Sequence, residues 1–325
     1  MNVVYIANDN YAAFLGISMY SLLYNNQNMK IKVYALSNNI SESNLKKISH
    51  IAKKFNQELI IIDISNFEEK FNFNIDTHGY NITNLSRLFL ENFLPQDVEK
   101  VLYLDCDIII DGNIEKYWNT DISSYELAGT PEFMMPLKKQ RELGLKDGDI
   151  YCNAGVLLIN LKKWREVNKS KKFLEFYASR NGDLQFLDQD IINYCCKGKI
   201  LIVGVEYNFS PNLRYFPAKS VKKIQPLYVG DNINEYKKKI KQPLIIHFLG
   251  EERPWIRGNW NSCRRIYEKY EEMSPWKKVP RIRGQELYMQ GYHILNLITR
   301  IIPIFRVAFT HTIGINKINW FGKKN

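Results

Sequence analysis

The sequence is poor in cysteine. Its 325 residues include five cysteines, an odd number, and no two of them form a C-x-x-C pair. No histidine stands near them at the spacing of a zinc site. This usage is typical of reduced thiols in a cytosolic protein, and it argues against a disulfide framework and a structural zinc.

Long apolar segments are also missing. The first residues, MNVVYIANDN, contain no basic stretch and no long apolar run, so no signal peptide is predicted. No uninterrupted apolar run is long enough to span a bilayer. Internal repeats and low-complexity linkers are absent as well. These absences predict a cytoplasmic chain without membrane-spanning helices.

Positive charge is abundant and uneven. The formal net charge is +11. From Trp276 to the end the chain has nine lysines and arginines against one acid, Glu286, so this segment carries eight of the eleven excess charges. Within 285–310, apolar residues recur at helical spacing on one face: Ile294, Leu297, Ile298, Ile301 and Phe305. The pattern favours an amphipathic helix lying on an anionic membrane surface, with packing on the protein core as the alternative. Nucleic acid is not expected as a partner.

The order of apolar segments predicts an α/β fold. Short apolar runs at 3–7, 31–36 and 59–62 alternate with helical patterns, which indicates a mainly parallel sheet covered by helices on both faces. Further strands are predicted at 101–104, 156–161, 200–203 and 244–248, and helices at 84–93 and 188–196. The pattern changes after Tyr270, where prolines and basic residues take over. We therefore predict a domain over residues 1–265 and a basic amphipathic segment over 266–325.

Two acids follow directly after a predicted buried strand. Residues 100–113 read KVLYLDCDIIIDGN, with Asp105 and Asp107 between two apolar runs. Like charges this close repel each other unless a cation bridges them, and carboxylates are hard ligands suited to Mg²⁺ or Mn²⁺. His247 ends another predicted strand. As a third ligand it would shift the preference toward Mn²⁺, although a histidine packed in the core is the alternative.

Six motifs appear in one order along the chain: VVYIANDNYAAFLGIS at 3–18, NITNLSRLFL at 81–90, KVLYLDCDIII at 100–110, CNAGVLLINLKKWR at 152–165, LDQDI at 187–191 and HFLGEERPW at 247–255. In this order they resemble glycosyltransferase family 8, most closely its bacterial lipooligosaccharide α-galactosyltransferases. The resemblance implies a GT-A fold, a divalent metal, and retaining transfer of galactose or glucose from a UDP-sugar to a saccharide acceptor.

The resemblance also implies roles for individual residues. Asp105, Asp107 and His247 would bind the metal, which is Mn²⁺ or alternatively Mg²⁺. Asp188 and Gln189 would lie beneath the donor sugar as the catalytic pair. The remaining implied ligands of the nucleotide sugar are Ala7, Asn8, Asn10 and Tyr11 for uracil and ribose, Arg87 for the sugar or diphosphate, Cys106 within the D-x-D motif, Asn153, Ala154 and Gly155 for the sugar pocket, and Gly250 and Arg253 for the diphosphate.

Four positions depart from the family pattern or bear on the mechanism. Related members carry Asp at the position of Asn8 and Lys at the position of Arg253. Glu132 is the nearest candidate for the acid that contacts the acceptor. Gln189 is an amide and a poor nucleophile, so attack by the acceptor on the front face of the sugar is preferred to a covalent intermediate.

Several alternatives remain open from the sequence. Asn8, Asn10 and Tyr11 could simply cap the first helix, and Arg87 could be a surface charge. A sugar nucleotidyltransferase would also use an α/β fold with metal-binding acids, but it should show a basic, glycine-rich loop after the first strand. A non-catalytic nucleotide-sugar or glycan-binding protein is the rival from another class. The expected acceptor is a lipid-linked saccharide, a glycan or a glycoprotein. The protein is expected to act at the inner face of the cell membrane.

Overall fold

A computed structural model describes residues 1–70, 82–133, 135–303 and 305 of the chain. Its strands are β1 (Asn2–Asn8), β2 (Lys32–Asn38), β3 (Glu58–Asp63), β4 (Lys100–Leu104), β5 (Ile108–Ile110), β6 (Leu127–Pro131), β7 (Cys152–Asn160), β8 (Ile200–Ile202) and β9 (Ile245–His247). Its α-helices are α1 (Ala12–Asn25), α2 (Glu42–Lys54), α3 (Leu90–Phe93), α4 (Glu115–Trp118), α5 (Leu137–Leu143), α6 (Leu161–Glu166), α7 (Lys169–Ser179), α8 (Leu187–Cys195), α9 (Ala218–Ile224), α10 (Pro226–Val229), α11 (Ile233–Lys241), α12 (Arg264–Met273) and α13 (Glu286–Thr299). Short 3₁₀ helices connect several of these elements.

A seven-stranded sheet in the order β3-β2-β1-β4-β7-β6-β8 forms the centre of the molecule. Strands β1 to β4 pair in parallel, as do β6 and β8, whereas β7 runs antiparallel to both of its neighbours. Two apolar clusters cover the two faces of the sheet. Burial on both faces explains why β1 and β4 read as continuous apolar runs rather than as alternating ones.

The predicted α/β class with a mainly parallel sheet is confirmed, and two local predictions are corrected. The strand predicted at 156–161 begins earlier, at Cys152, which pairs with Pro131 of β6, so Asn153, Ala154 and Gly155 lie inside β7 and not before it. The helix expected at 84–93 is a 3₁₀ helix at Ile82–Phe89 followed by the short α3. Asn81, which begins one of the quoted motifs, lies outside the described residues.

A second, two-stranded sheet brings distant parts of the sequence together. Strand β5 pairs antiparallel with β9, and Ile108 faces His247 across the pair. Because Asp107 directly precedes Ile108, this register places the Asp107 carboxylate beside the His247 ring. The small sheet therefore lies at the carboxyl end of β4, where open α/β sheets bind their ligands.

The C-terminal part attaches to this domain in two steps. Helix α12 packs on α1, and its Tyr267 and Tyr270 are buried in the core. The Glu271 carboxylate then receives two hydrogen bonds from Arg281, at 2.6 and 2.7 Å. Helix α13 follows, and the predicted helix around 285–310 ends at Thr299. The predicted segment 266–325 includes residues 306–325, which lie outside the described residues. No helix in the described ranges is long and apolar enough to cross a bilayer.

Candidate active site

Three side chains that can bind a metal converge at the carboxyl end of β4. One ligand atom from each of Asp105, Asp107 and His247 lies within 4.8 Å of the other two, and this is the one such group in the part of the chain that the structure describes. His247 Nε2 lies 3.1 Å from Oδ1 of Asp107 and 3.8 Å from Oδ2 of Asp105. Two carboxylates and an imidazole form a donor set that fits a divalent cation.

Gly155 gives this cluster its space. A Cβ atom at this position would lie 2.1 Å from Cε1 of His247 and 2.8 Å from Oδ2 of Asp105. Gly155 also accepts the backbone N–H of Asp105 at 2.8 Å through its carbonyl oxygen, which fixes β7 against the D-x-D segment. The glycine of the CNAG motif is therefore required by the close approach of a strand to the ligand cluster.

A chain of side chains sets the orientation of His247. The ring nitrogen Nδ1 lies 2.9 Å from Oδ1 of Asn208, and Nδ2 of Asn208 donates to Oδ1 of Asn153 at 2.9 Å. Nδ2 of Asn153 donates in turn to the Glu132 carboxylate at 2.7 Å. Since Oδ1 of Asn208 is an acceptor, it selects the tautomer with hydrogen on Nδ1 and leaves Nε2 directed at the two carboxylates.

Arg87 connects the ligand cluster to helix α8. Its Nη2 lies 3.0 Å from Oδ1 of Asp105, and its Nε lies 2.9 Å from Oδ2 of Asp188. Nη1 donates to the carbonyl oxygen of Ala154 at 2.9 Å, and the guanidinium lies over the ring of Tyr103. The Arg87 side chain is only 8% exposed. The alternative of a solvated surface charge is therefore wrong, and Arg87 faces the site.

Helix α8 presents Asp188 and Gln189 toward β7. Oε1 of Gln189 accepts the backbone N–H of Ala154 at 2.9 Å, and Nε2 lies 3.3 Å from the Tyr151 hydroxyl. Asn193 makes two hydrogen bonds to the backbone of Cys152, at 2.7 and 2.8 Å. These contacts fix the register of the helix on the strand, so that the candidate catalytic pair and the Asn-Ala-Gly segment form one surface.

The loop after β9 places Arg253 beside the cluster. Its Nη2 lies 3.6 Å from Oδ2 of Asp107, and its buried Nε has no hydrogen-bond partner among the described residues. Gly250 has φ of +53° and no atom within 4 Å of a Cβ built on it, so its backbone conformation, and not its space, requires glycine. Trp255 stacks on Phe14 of α1 with ring centroids 4.2 Å apart, which anchors the loop at its far end.

The candidate uridine-binding residues near the N-terminus lie across from this loop. Tyr11 packs on Phe14 with ring centroids 5.5 Å apart, and Asn10 is exposed. Oδ1 of Asn8 accepts the backbone N–H of Tyr11 at 3.3 Å, so Asn8 does cap the short helix that follows β1. Ala7 is a buried residue of β1. The carboxyl end of β1 thus brings these four residues to the same edge of the sheet as the acids.

Cys106 points away from the ligand cluster. Its thiol donates to the carbonyl oxygen of Ile6 on the neighbouring strand β1 at 3.3 Å. This orientation follows from the alternation of side chains along an extended chain. Asp111, the residue after β5, accepts a hydrogen bond from the Tyr270 hydroxyl at 2.6 Å and has a structural role.

A small cavity of about 20 Å³ lies beside His247. Its lining residues include Glu132, Asn153, Asn208, Ser210, Asn212 and Tyr228. Oγ of Ser210 and Oδ1 of Asn212 are buried and have no hydrogen-bond partner in the described ranges. Buried polar atoms without partners are costly, so in a cavity of this size the two oxygens suit a bound water or a single ligand hydroxyl group.

Burial and charge shift the pKa values of the central residues. Burial opposes ionisation of Asp107, but the neighbouring His247 and Arg253 outweigh it and hold the pKa of Asp107 below its usual value. The same pairing raises the pKa of His247 against the effect of burial. Burial raises the pKa of Asp188 to about 6, although the Arg87 guanidinium opposes this rise. The acids thus have different proton affinities within one site.

Sequence reasoning missed the residues that support the site from behind. Asn208 orients His247, the Tyr103 hydroxyl donates to Oδ1 of Asp105 at 2.5 Å, and Asn193 fixes α8. Asn208 and Asn193 are both buried and sit beside apolar neighbours in the sequence. A single amide within an apolar stretch was the available signal, because a buried amide needs hydrogen-bond partners.

Comparison with known proteins now adds to this geometry. The profile of the family described as glycosyl transferase family 8 matches residues 2–258, which include all the candidate site residues. The chain belongs to glycosyl transferase family 8. Helix α13 lies beyond the matched region.

Two bacterial proteins and one solved structure are similar to the chain over most of its length. A protein of Haemophilus influenzae is 30% identical over 261 residues, covering 78% of this chain and 73% of its own. The lipopolysaccharide 1,2-glucosyltransferase of Escherichia coli K12 is 25% identical over 281 residues, covering 85% of this chain and 79% of its own. The crystal structure of the galactosyltransferase LgtC with donor and acceptor sugar analogs superposes with a TM-score of 0.71 at 26% identity, covering 86% of this chain and 98% of LgtC. The fold is therefore GT-A, as the resemblance implied.

Proposed function

We propose that this family 8 glycosyltransferase transfers galactose or glucose from a UDP-sugar to a saccharide acceptor, with retention of anomeric configuration, in the synthesis of lipopolysaccharide or another cell-surface glycan. The convergence of Asp105, Asp107 and His247 at the end of β4 carries this proposal. The names of two relatives, lipopolysaccharide 1,2-glucosyltransferase and lipopolysaccharide 1,3-galactosyltransferase, support the class of product.

The diphosphate of the donor matches the charges around the ligand cluster. Asp105, Asp107 and His247 would hold the metal, and we assign Mn²⁺ because the imidazole nitrogen favours it over Mg²⁺. When bound, the cation neutralises charge on the diphosphate leaving group. Arg253 adds a cation whose buried Nε lacks a hydrogen-bond partner within the described part of the chain. An arginine here can bind phosphate oxygens in a bidentate manner, so it can replace the lysine of related members.

The uridine would occupy the groove at the carboxyl end of β1. Tyr11 offers a ring face to the base, and Asn8 and Asn10 offer amide groups to the base and ribose. Asn8 already uses its Oδ1 to cap the following helix, which leaves its amide nitrogen to donate to a uracil carbonyl. Ala7, at the end of the strand, provides backbone contacts.

Asp188 and Gln189 would act beneath the donor sugar. Asp188, held at 2.9 Å by Arg87, accepts from sugar hydroxyls and so fixes which sugar fits. Gln189 is oriented by the N–H of Ala154, and its amide oxygen stabilises positive charge that develops at the anomeric carbon. The acceptor hydroxyl attacks from the face of the leaving group, and a phosphate oxygen takes its proton.

The acceptor would bind over the small cavity beside Asn153. Glu132 lines this cavity together with Ser210 and Asn212, whose buried side-chain oxygens lack partners among the described residues. These groups can hydrogen-bond sugar hydroxyls and select an acceptor by leaving wrong hydroxyls unpaired. We propose a lipid-linked saccharide as the acceptor, with a glycan or a glycoprotein as the alternatives.

The C-terminal segment supplies a surface that suits such an acceptor. We propose that residues 1–265 form the catalytic domain and that residues 266–325 attach it to the inner face of the cell membrane from the cytoplasm. The apolar face of α13 and the residues after it is exposed at Leu287, Ile294, Leu297, Ile298, Ile301 and Phe305. Exposed Lys277, Lys278, Arg283 and Arg300 accompany it. Apolar and basic groups together match an anionic lipid surface.

Hydrolysis of a panel of UDP-sugars by the purified chain with Mn²⁺ tests the donor assignment. EDTA and the substitution Asp107→Asn should each abolish turnover of the one preferred sugar. Asp111→Asn is the matched control, because Asp111 directly follows the same sequence motif but accepts a hydrogen bond from Tyr270 outside the cluster. It should retain wild-type turnover.

The outcomes separate the rival functions. Turnover without UDP binding to the metal-loaded protein would contradict the proposed site, and the absence of both would leave a non-catalytic fold. UDP binding without turnover would point to a glycan-binding protein or to an obligatory acceptor, which adding a lipid-linked saccharide distinguishes. A covalent sugar adduct on Asp188 or Gln189 would refute front-face attack.

A further inference from the structure

Helix α13 has a second face, and this face contacts the loop that carries Gly250 and Arg253. The Tyr292 hydroxyl donates to Oε1 of Glu252 at 2.5 Å, and the Tyr288 hydroxyl donates to Oε1 of Glu251 at 2.7 Å. Both glutamates directly precede Arg253 in the chain. The two hydrogen bonds therefore hold the loop from the side of the helix.

His293 provides a second connection, through Asn259. Its Nε2 lies 2.9 Å from Oδ1 of Asn259, whose Nδ2 donates to the carbonyl oxygens of Glu251 at 2.6 Å and Arg253 at 2.8 Å. Nδ1 of His293 lies 3.0 Å from the Tyr215 hydroxyl. Nε2 also lies 3.2 Å from the backbone nitrogen of Trp260. Through Asn259, the helix therefore contacts the backbone on both sides of the Arg253 peptide.

Apolar side chains also pack between α13 and the loop of Gly250 and Arg253. Met289 and Tyr292 of α13 form a small buried cluster with Ile256, three residues after Arg253. A Cβ on Gly258 would lie 3.3 Å from Cα of Glu286, so the start of the helix is tightly apposed to the end of the loop. The loop lies within the family match at 2–258 and the helix lies outside it. An appended element thus holds a segment of the common site.

We propose that α13 positions the loop of Gly250 and Arg253, and that binding of an anionic lipid surface to its apolar face raises the affinity of the protein for a nucleoside diphosphate. This inference rests on the donor and membrane assignments made above. A helix of 14 residues is marginal by itself, and six large apolar side chains of this region stand in solvent. Covering them stabilises the helix, and the contacts of Tyr292 and His293 with the loop are then formed before the diphosphate arrives.

Calorimetric titration of UDP into the full chain with Mn²⁺ tests this coupling, with and without vesicles of phosphatidylglycerol and phosphatidylcholine. For the wild type, the vesicles should lower the Kd for UDP. Tyr292→Phe removes a buried hydrogen bond to a carboxylate, so the Kd should rise on the order of tenfold. Donor hydrolysis by this variant should show a raised KM with kcat unchanged at saturating donor, a split that general destabilisation does not produce.

Two further variants separate the faces of the helix. The double substitution Leu297→Ser and Ile298→Ser should prevent sedimentation with the vesicles, and its Kd for UDP should no longer respond to them. Tyr24→Phe, at an exposed tyrosine of α1, is the matched control for loss of a hydroxyl and should behave as the wild type.

Each opposite result overturns a defined part of the inference. An unchanged Kd for Tyr292→Phe would refute positioning by the helix. Vesicle binding that leaves the Kd of the wild type unchanged would refute the coupling, and an equal effect of pure phosphatidylcholine would refute the requirement for anionic lipid. Absence of UDP binding under every condition would instead refute the proposed donor, which is a different failure.

Discussion

The substitution Gly155→Ala tests whether the close approach of β7 shapes the ligand cluster. The added methyl group would lie 2.1 Å from Cε1 of His247, whereas carbon atoms in contact are about 3.5–4.0 Å apart. Either the ring or the strand must therefore move by roughly 1.5 Å. His247 is 1% exposed and lies 2.9 Å from Oδ1 of Asn208 and 3.1 Å from Oδ1 of Asp107, so the ring cannot retreat without losing these contacts.

The cost has two measurable parts. Overpacking of a buried site costs about 1–3 kcal/mol, which urea unfolding of the metal-free protein detects. Displacement of a ligand or its orienting partner lowers metal affinity by about 10–100-fold, which titration with Mn²⁺ detects. Gly291→Ala is the matched control, because a Cβ at this exposed helical position meets no atom within 4 Å. It should leave Mn²⁺ affinity unchanged and raise stability slightly.

A folded Gly155→Ala protein with wild-type affinity for Mn²⁺ would refute the reasoning. It would mean either that the strand yields easily or that His247 is not a ligand. Spectroscopy of bound Mn²⁺ would distinguish these two explanations, since loss of the imidazole changes the coordination sphere.

Further predictions concern single residues elsewhere in the domain. The pKa of Asp188 is raised to about 6 in the folded chain, so between about pH 4 and 6 the native state binds more protons than the unfolded state. The stability contributed by this group therefore falls as pH rises through that window. In urea unfolding, Asp188→Asn should lack this dependence of stability on pH. Glu271→Gln should lower the free energy of unfolding by about 1.5–3 kcal/mol, because it weakens a buried carboxylate's two bonds to Arg281; Glu42→Gln, at an exposed ion pair, should change nothing measurable. Gly250→Ala should cost about 1–2 kcal/mol through its left-handed backbone and should weaken UDP binding in calorimetry, whereas unchanged binding would show that the loop adapts.

The α/β fold could be predicted from the sequence because the same pattern of a strand followed by a helix recurs along the first part of the chain. Each of the first strands is an apolar run followed by a helical pattern, and the βαβαβ order has few alternatives. The reversal at β7 was not predicted. Its apolar residues Val156–Leu158 look the same in a parallel or an antiparallel strand buried on both faces, so periodicity carries no information on direction.

Part of the candidate site could also be predicted from the sequence. Asp105 and Asp107 stand out because two acids at the end of a buried strand contradict the local pattern, and the structure brings them to His247 through the pairing of β5 with β9. The pairing itself links residues that are far apart in the sequence, and no local rule predicts it. Asn208 was missed because its role depends on an orientation that only the assembled site defines.

That orientation has a direction. An amide group donates through its nitrogen and accepts through its oxygen, so in a chain of hydrogen-bonded amides the orientation of one determines the orientation of the next. The Glu132 carboxylate can only accept, which turns the Asn153 and Asn208 amides toward it and leaves an acceptor oxygen facing His247. The Glu132 carboxylate, which lines the neighbouring cavity, therefore determines through two amides that the lone pair of His247 is on Nε2, the nitrogen that faces the two acids.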